Sequence, residues 1–190
     1  MKTALLASYE KDDALLQLAT TLSKSGWNLL GSAGTAKFLN EHEIRCRDVA
    51  EIVGSPILGH RVVTLSRELF AGLLATDADQ AELDKLGIQR IDLVYVTLYP
   101  LQETIASGAS DSNVIEMTDI GGPTLLRAGA KGRRIVISDP KQIDDVKQYI
   151  EQGEPEGGRE ALLTRLAAAA ERRVADYVNT SATYWESKNK

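Results

Sequence analysis

Residues 91–98, Ile-Asp-Leu-Val-Tyr-Val-Thr-Leu, form an almost continuous apolar run rich in β-branched side chains. A strand apolar on both faces must be covered on both, as in a parallel strand inside a layered α/β domain. The rest of the chain fits that frame by alternating short apolar runs with helical patterns. Residues 3–7, 27–31, 44–49 and 134–138 read as further strands, giving about five. Leu15, Leu18, Ala19 and Leu22 follow helical spacing after Asp12 or Asp13 as cap, and Gly26 follows the last turn. Residues 35–41, 68–74, 79–86 and 122–130 read as helices. Asp139-Pro140 starts another, with Ile143, Val146 and Ile150 on one face. Residues 51–67 and 100–118 show no clear period and read as irregular. Residues 153–158 read as a linker to a long C-terminal helix marked by Leu163, Leu166, Ala170, Val174, Tyr177 and Val178. The expectation is a three-layer α/β/α fold with a mostly parallel sheet of about five strands. The 190 residues suit one domain, with a core over 1–152 and a helical segment over 158–186.

Composition narrows the function classes. The net charge is −5, from 22 basic and 27 acidic side chains, which argues against a broad nucleic-acid surface. Cys46 is the only cysteine, so neither an internal disulfide nor a cysteine-based metal site is expected. His42 and His60 are isolated and lack metal-ligand spacing. No stretch approaches the roughly 20 apolar residues of a membrane span. The short apolar run after Met1 suits a strand better than a secretory signal. A cytoplasmic protein with no membrane partner is expected.

In parallel α/β folds, ligands bind at the carboxyl ends of the strands. Four loops fall there. Gly31-Ser32-Ala33-Gly34-Thr35 joins a strand to a helix; it reads equally as an anion-binding loop or as a plain N-cap turn. Lys11, after the first strand, is either a phosphate contact or a solvated lysine in a first helical turn. Thr118-Asp119-Ile120-Gly121-Gly122-Pro123-Thr124 offers two unhindered glycine N–H groups and a carboxylate, or else an ordinary Asp-Gly turn. Tyr99, ending the strongest strand, presents its hydroxyl to a ligand or packs on the sheet edge. Lys131 lies twelve residues beyond Asp119, past the expected helix end, where it also suits the helix dipole.

In this order the segments resemble the IMP cyclohydrolase domain of the bifunctional purine-biosynthesis enzyme that also carries AICAR transformylase activity. That domain belongs to the methylglyoxal-synthase-like superfamily. The resemblance covers about residues 3–184. It rests on Ser32-Ala33-Gly34-Thr35, Arg61-Val62-Val63-Thr64-Leu65, Ile91-Asp92-Leu93-Val94, Leu98-Tyr99-Pro100 and the long segment from Asp119 to Lys131. It implies closure of the second purine ring: a carboxamide nitrogen attacks a formyl carbon of the same nucleotide and water leaves, without metal or organic cofactor. By motif position Lys11, Ser32, Gly34, Thr35 and Thr64 hold the 5′-phosphate, with Arg61, Gly121 and Gly122 also at the substrate. Tyr99, Asp119 and Lys131 are expected at the reacting groups. A purine nucleotide partner and a homodimer are implied too. No transformylase domain is expected in these 190 residues. Several features depart from the pattern. Val63 replaces a lysine, Ser66-Arg67 replaces His-Pro, Ala7 and Tyr9 replace serines, and the loop before Arg61 is one residue shorter. A nucleotide-binding module without catalysis is the alternative that Val63 and Ser66-Arg67 favour.

Overall fold

The computed structural model describes residues 1–59 and 61–188; His60 lies outside the described residues. Five strands, β1 (Thr3–Ala7), β2 (Asn28–Gly31), β3 (Arg47–Asp48), β4 (Leu93–Val96) and β5 (Ile135–Ile137), form one sheet in the order β3-β2-β1-β4-β5. All neighbouring pairs are parallel, with Leu5 opposite Leu30 on one side and Val94 on the other. Every residue of β4 is buried, as its two-sided apolar run requires. The third strand is two residues long, shorter than residues 44–49 suggest. Ile44 instead takes part in the turn that closes the preceding helix, its N–H donating to the Leu39 carbonyl.

Helices cover both faces. On one, α1 (Asp13–Lys24) packs with α9 (Ile143–Glu151). Asp12 caps α1 by accepting from the Leu15 N–H at 2.9 Å. On the other, α8 (Gly121–Lys131) lies on β4 and β5, flanked by α4 (Arg67–Leu74) and by α10 (Glu156–Ser187). Gly129 lets α8 approach the sheet; a Cβ there would collide with Val94 and stand 3.3 Å from Val136. Along α10, Leu162, Leu163, Leu166, Ala170 and Val174 join the main core at helical spacing. The remaining helices are α2 (Ala33–Glu41), α3 (Ala50–Val53), α5 (Gln80–Leu86), α6 (Leu101–Ala106) and α7 (Asp111–Glu116).

Three sequence expectations are corrected. Residues 100–118 are not irregular but hold α6 and α7, six residues each, separated by a bend at Gly108 with φ 72°. Residues 51–67 contain most of α3, an antiparallel bridge between Ile57 and Val62, and the start of α4, capped by Ser66. The expected linker is partly helix, because α10 begins at Glu156 and includes Gly157 and Gly158. Those glycines cost intrinsic propensity, but the apolar face of the same helix is anchored in the core, and packing outweighs propensity.

Candidate active site

The sheet order fixes where a cleft must open. From β1 the chain winds outward through β2 and β3, then returns to β4 on the other side of β1. The loops after β1 and β4 therefore diverge, and the crevice between them is the ligand position of such folds. A cavity of about 500 Å³ lies there, lined by both loops and by the starts of α2 and α8. Among the described residues no helix is long and apolar enough to cross a membrane.

One end of the cavity is cationic and rich in small groups. Lys11 lies over Gly34: a Cβ placed on Gly34 would stand 3.6 Å from the lysine Cε and 3.9 Å from Nζ. The ammonium donates to the carbonyls of Ser8 and Tyr9. Partial desolvation lowers the Lys11 pKa, and the Asp12 carboxylate opposes that shift. Ser32 and Gly34 line the cavity. Thr35 does not: it is fully buried, with its hydroxyl donating to the Ser8 carbonyl at 3.3 Å and accepting from the Ser8 N–H at 3.2 Å. The Ser32 hydroxyl donates to it at 3.0 Å. Thr35 thus ties the β1 loop to the β2 loop and shapes this end from below. Thr97 performs the same service from β4, accepting from the Tyr9 N–H at 2.7 Å and sharing a hydrogen bond with the Ser8 hydroxyl at 2.8 Å.

The other end carries a carboxyl group at a helix start. The Asp119 side chain accepts from the Gly122 N–H at 2.9 Å. Burial pushes its pKa above the ordinary aspartate value, against the pull of N–H groups from Gly122, Tyr99 and Gly121. The glycines are needed for this approach. A Cβ on Gly122 would collide with Asp119 Oδ2 and reach 2.7 Å from Leu98, while one on Gly121 would stand 2.8 Å from the Thr64 hydroxyl. Tyr99 packs its ring on Tyr9, with centroids 5.1 Å apart. Its pKa is raised by burial and by the Asp119 charge. Arg61 and Glu116 form an exposed ion pair at 3.6 Å on the cavity wall.

The structure brings together Lys11, Ser32, Gly34, Arg61, Thr64, Tyr99, Asp119, Gly121 and Gly122. It does not bring Lys131. That residue ends α8, is exposed, and lies about 15 Å along the helix axis from Gly121 at 1.5 Å per residue. Twelve residues from Asp119 in sequence are spent walking away from the cavity, and Lys131 sits where a cation complements the helix dipole. Val63 lines the cavity with an aliphatic side chain that also packs on the main core.

Sequence reasoning gave Thr97 and Glu116 no role and treated Tyr177 as an apolar helix marker. Thr97 had a signal, a polar residue ending a buried strand. Tyr177 had none, since it reaches the site from 58 positions away. Among the described residues no group of three or more His, Cys, Asp or Glu side chains could hold a metal.

The MGS-like domain family model matches residues 14–124. The bifunctional purine biosynthesis protein PurH of Aquifex aeolicus (strain VF5) is 39% identical over 156 residues, covering 79% of this chain and 31% of that protein. PurH of Jannaschia sp. (strain CCS1) is 39% identical over 183 residues, covering 92% of this chain and 34% of that protein. The chain thus spans about a third of the length of the curated relatives it matches. A crystal structure of ForH superimposes with a TM-score of 0.82 at 34% identity, covering 95% of this chain and 97% of that one. The parallel sheet, the cleft at its switch point and these matches agree: the chain belongs to the MGS-like domain family.

Proposed function

We propose that this chain carries IMP cyclohydrolase activity, closing 5-formamido-imidazole-4-carboxamide ribonucleotide to IMP. The observation that carries the reading is one cavity with a lysine over a small-residue loop at one end and a partly buried carboxyl at the other. Its volume, about 500 Å³, lies within the range of small-molecule sites. The PurH relatives support a purine nucleotide as the occupant.

At the cationic end Lys11, the Ser32 hydroxyl and the start of α2 bind the 5′-phosphate, helped by the helix dipole. Thr64, beside Gly121, and Arg61, on leaving Glu116, offer a hydroxyl and a cation to the substrate from the wall nearer the other end. At the reacting end the Asp119 carboxylate takes a proton from the carboxamide nitrogen as that nitrogen bonds to the formyl carbon. The formyl oxygen gains charge as its double bond opens, and the Tyr99 hydroxyl donates to it. The oxygen, protonated to a carbinol by Tyr99, leaves as water with the proton held on Asp119, and the former formamido nitrogen gives its proton to the Tyr99 phenolate, leaving the C=N bond of IMP. Nucleophile and electrophile belong to one substrate, so fixing the reactive rotamer supplies much of the acceleration. Lys131 receives no role.

The test is turnover of the formamido nucleotide by the purified chain, followed as IMP appears. Val63 favours a second reading, a nucleotide-binding module without catalysis, because an aliphatic side chain stands where the resembled family has a lysine. Nucleotide binding with no turnover would select that reading.

A further inference from the structure

Residues 117–120 connect α7 to α8 outside any helix or strand, yet they carry Asp119. Among the contacts that hold this short segment are three from different elements. The Thr118 hydroxyl donates back to the Val114 carbonyl at 2.8 Å, and the Gly122 N–H holds the Asp119 carboxylate. The third comes from α10. The Tyr177 hydroxyl accepts from the Asp119 backbone N–H at 2.8 Å and donates to the Met117 carbonyl at 3.1 Å. Its donor and an acceptor position are both spent on backbone two residues apart. Tyr177 does not line the main cavity. It lines a smaller one of about 320 Å³ that Thr118, Asp119 and Ile120 also line, so it holds the segment from outside the main cavity. Its ring packs against the core, so the hydroxyl is delivered from a fixed scaffold.

We propose that Tyr177 is a positioning residue: its hydroxyl sets the backbone on which the Asp119 carboxyl is aimed, making α10 part of the site. The kinetic consequence rests on the cyclohydrolase reading, whereas the structural one does not. Y177F keeps the ring and removes both hydrogen bonds. Amide hydrogen exchange in residues 117–122 is expected to quicken about tenfold. In turnover, kcat is expected to fall about tenfold with KM within about twofold, because the phosphate end lies elsewhere. Y184F is the control. Tyr184 lies on the same helix but donates to Asp111 at 2.6 Å rather than to any residue of 117–122, and neither Tyr184 nor Asp111 lines the cavity, so exchange in 117–122 and kcat should match wild type. Unchanged exchange in Y177F overturns the proposal, as does a Y184F variant that behaves like Y177F. If wild type does not turn over, the cyclohydrolase reading falls and the exchange comparison alone decides the positioning role.

Discussion

The two ends of the cavity are built in different ways. The proposed phosphate end is made from neighbours: the loops after β1, β2 and β4 are adjacent because their strands are, and Thr35, Ser8 and Thr97 lock them through hydrogen bonds. The reacting end is assembled from afar. Asp119 depends on glycines that follow it, on the N–H of Tyr99, and on Tyr177 from the last helix. An anion site of the first kind comes with the fold, while the second has to be added to it. Binding and chemistry should therefore be separable by mutation.

The largest effect expected is at Asp119. Asp119→Asn removes the base and should lower kcat about a hundredfold or more, leaving KM within a few-fold; steady-state kinetics reports both. A comparable rise in KM would merge the two ends and break the comparison. Lys11→Ala comes next and should do the opposite. Losing a charged phosphate contact should raise KM about tenfold to a hundredfold with kcat little changed, and calorimetric titration with IMP checks the binding loss. Gly122→Ala forces a Cβ into Asp119 and Leu98. Overpacking of this kind costs about 1–3 kcal/mol, visible as a lower midpoint in urea unfolding.

A pH profile sharpens the same division. In the proposed reaction Asp119 acts as a carboxylate, and burial raises its pKa. Activity should therefore fall, as pH drops, at a higher pH than an ordinary aspartate near about 3.9 would give. The smallest effect expected is at Lys131. Lys131→Ala should leave kcat within about twofold and stability within about 0.5 kcal/mol, as for surface positions away from special contacts. A loss rivaling that at Asp119 would mean that the far end of α8 takes part in the chemistry.

Much of this was legible in the sequence. Apolar runs marked the strands, and capping residues placed the loops at their carboxyl ends, so Lys11, Ser32, Gly34, Tyr99 and Asp119 were found together. Helices α6 and α7 were missed because six residues are too few to show a period. Lys131 falls outside the cavity lining because a motif records spacing but not direction, and a helix carries its last residue a long way from its first. Thr35 stands in the loop, yet its hydroxyl faces inward to Ser8, which no local pattern reveals. Tyr177 looked like one more apolar position on α10, since nothing local announces a contact across 58 residues.

The central claim is that a preformed anion site and a positioned carboxylate together perform ring closure. Its most direct test is single-turnover conversion of the formamido-imidazole ribonucleotide by wild type and by Asp119→Asn, with IMP binding measured on both. The account predicts rapid IMP formation by wild type, near-complete loss in the variant, and IMP affinity within a few-fold of each other. Equal rates in the two proteins, or wild-type turnover no faster than the uncatalysed reaction despite tight IMP binding, would contradict it.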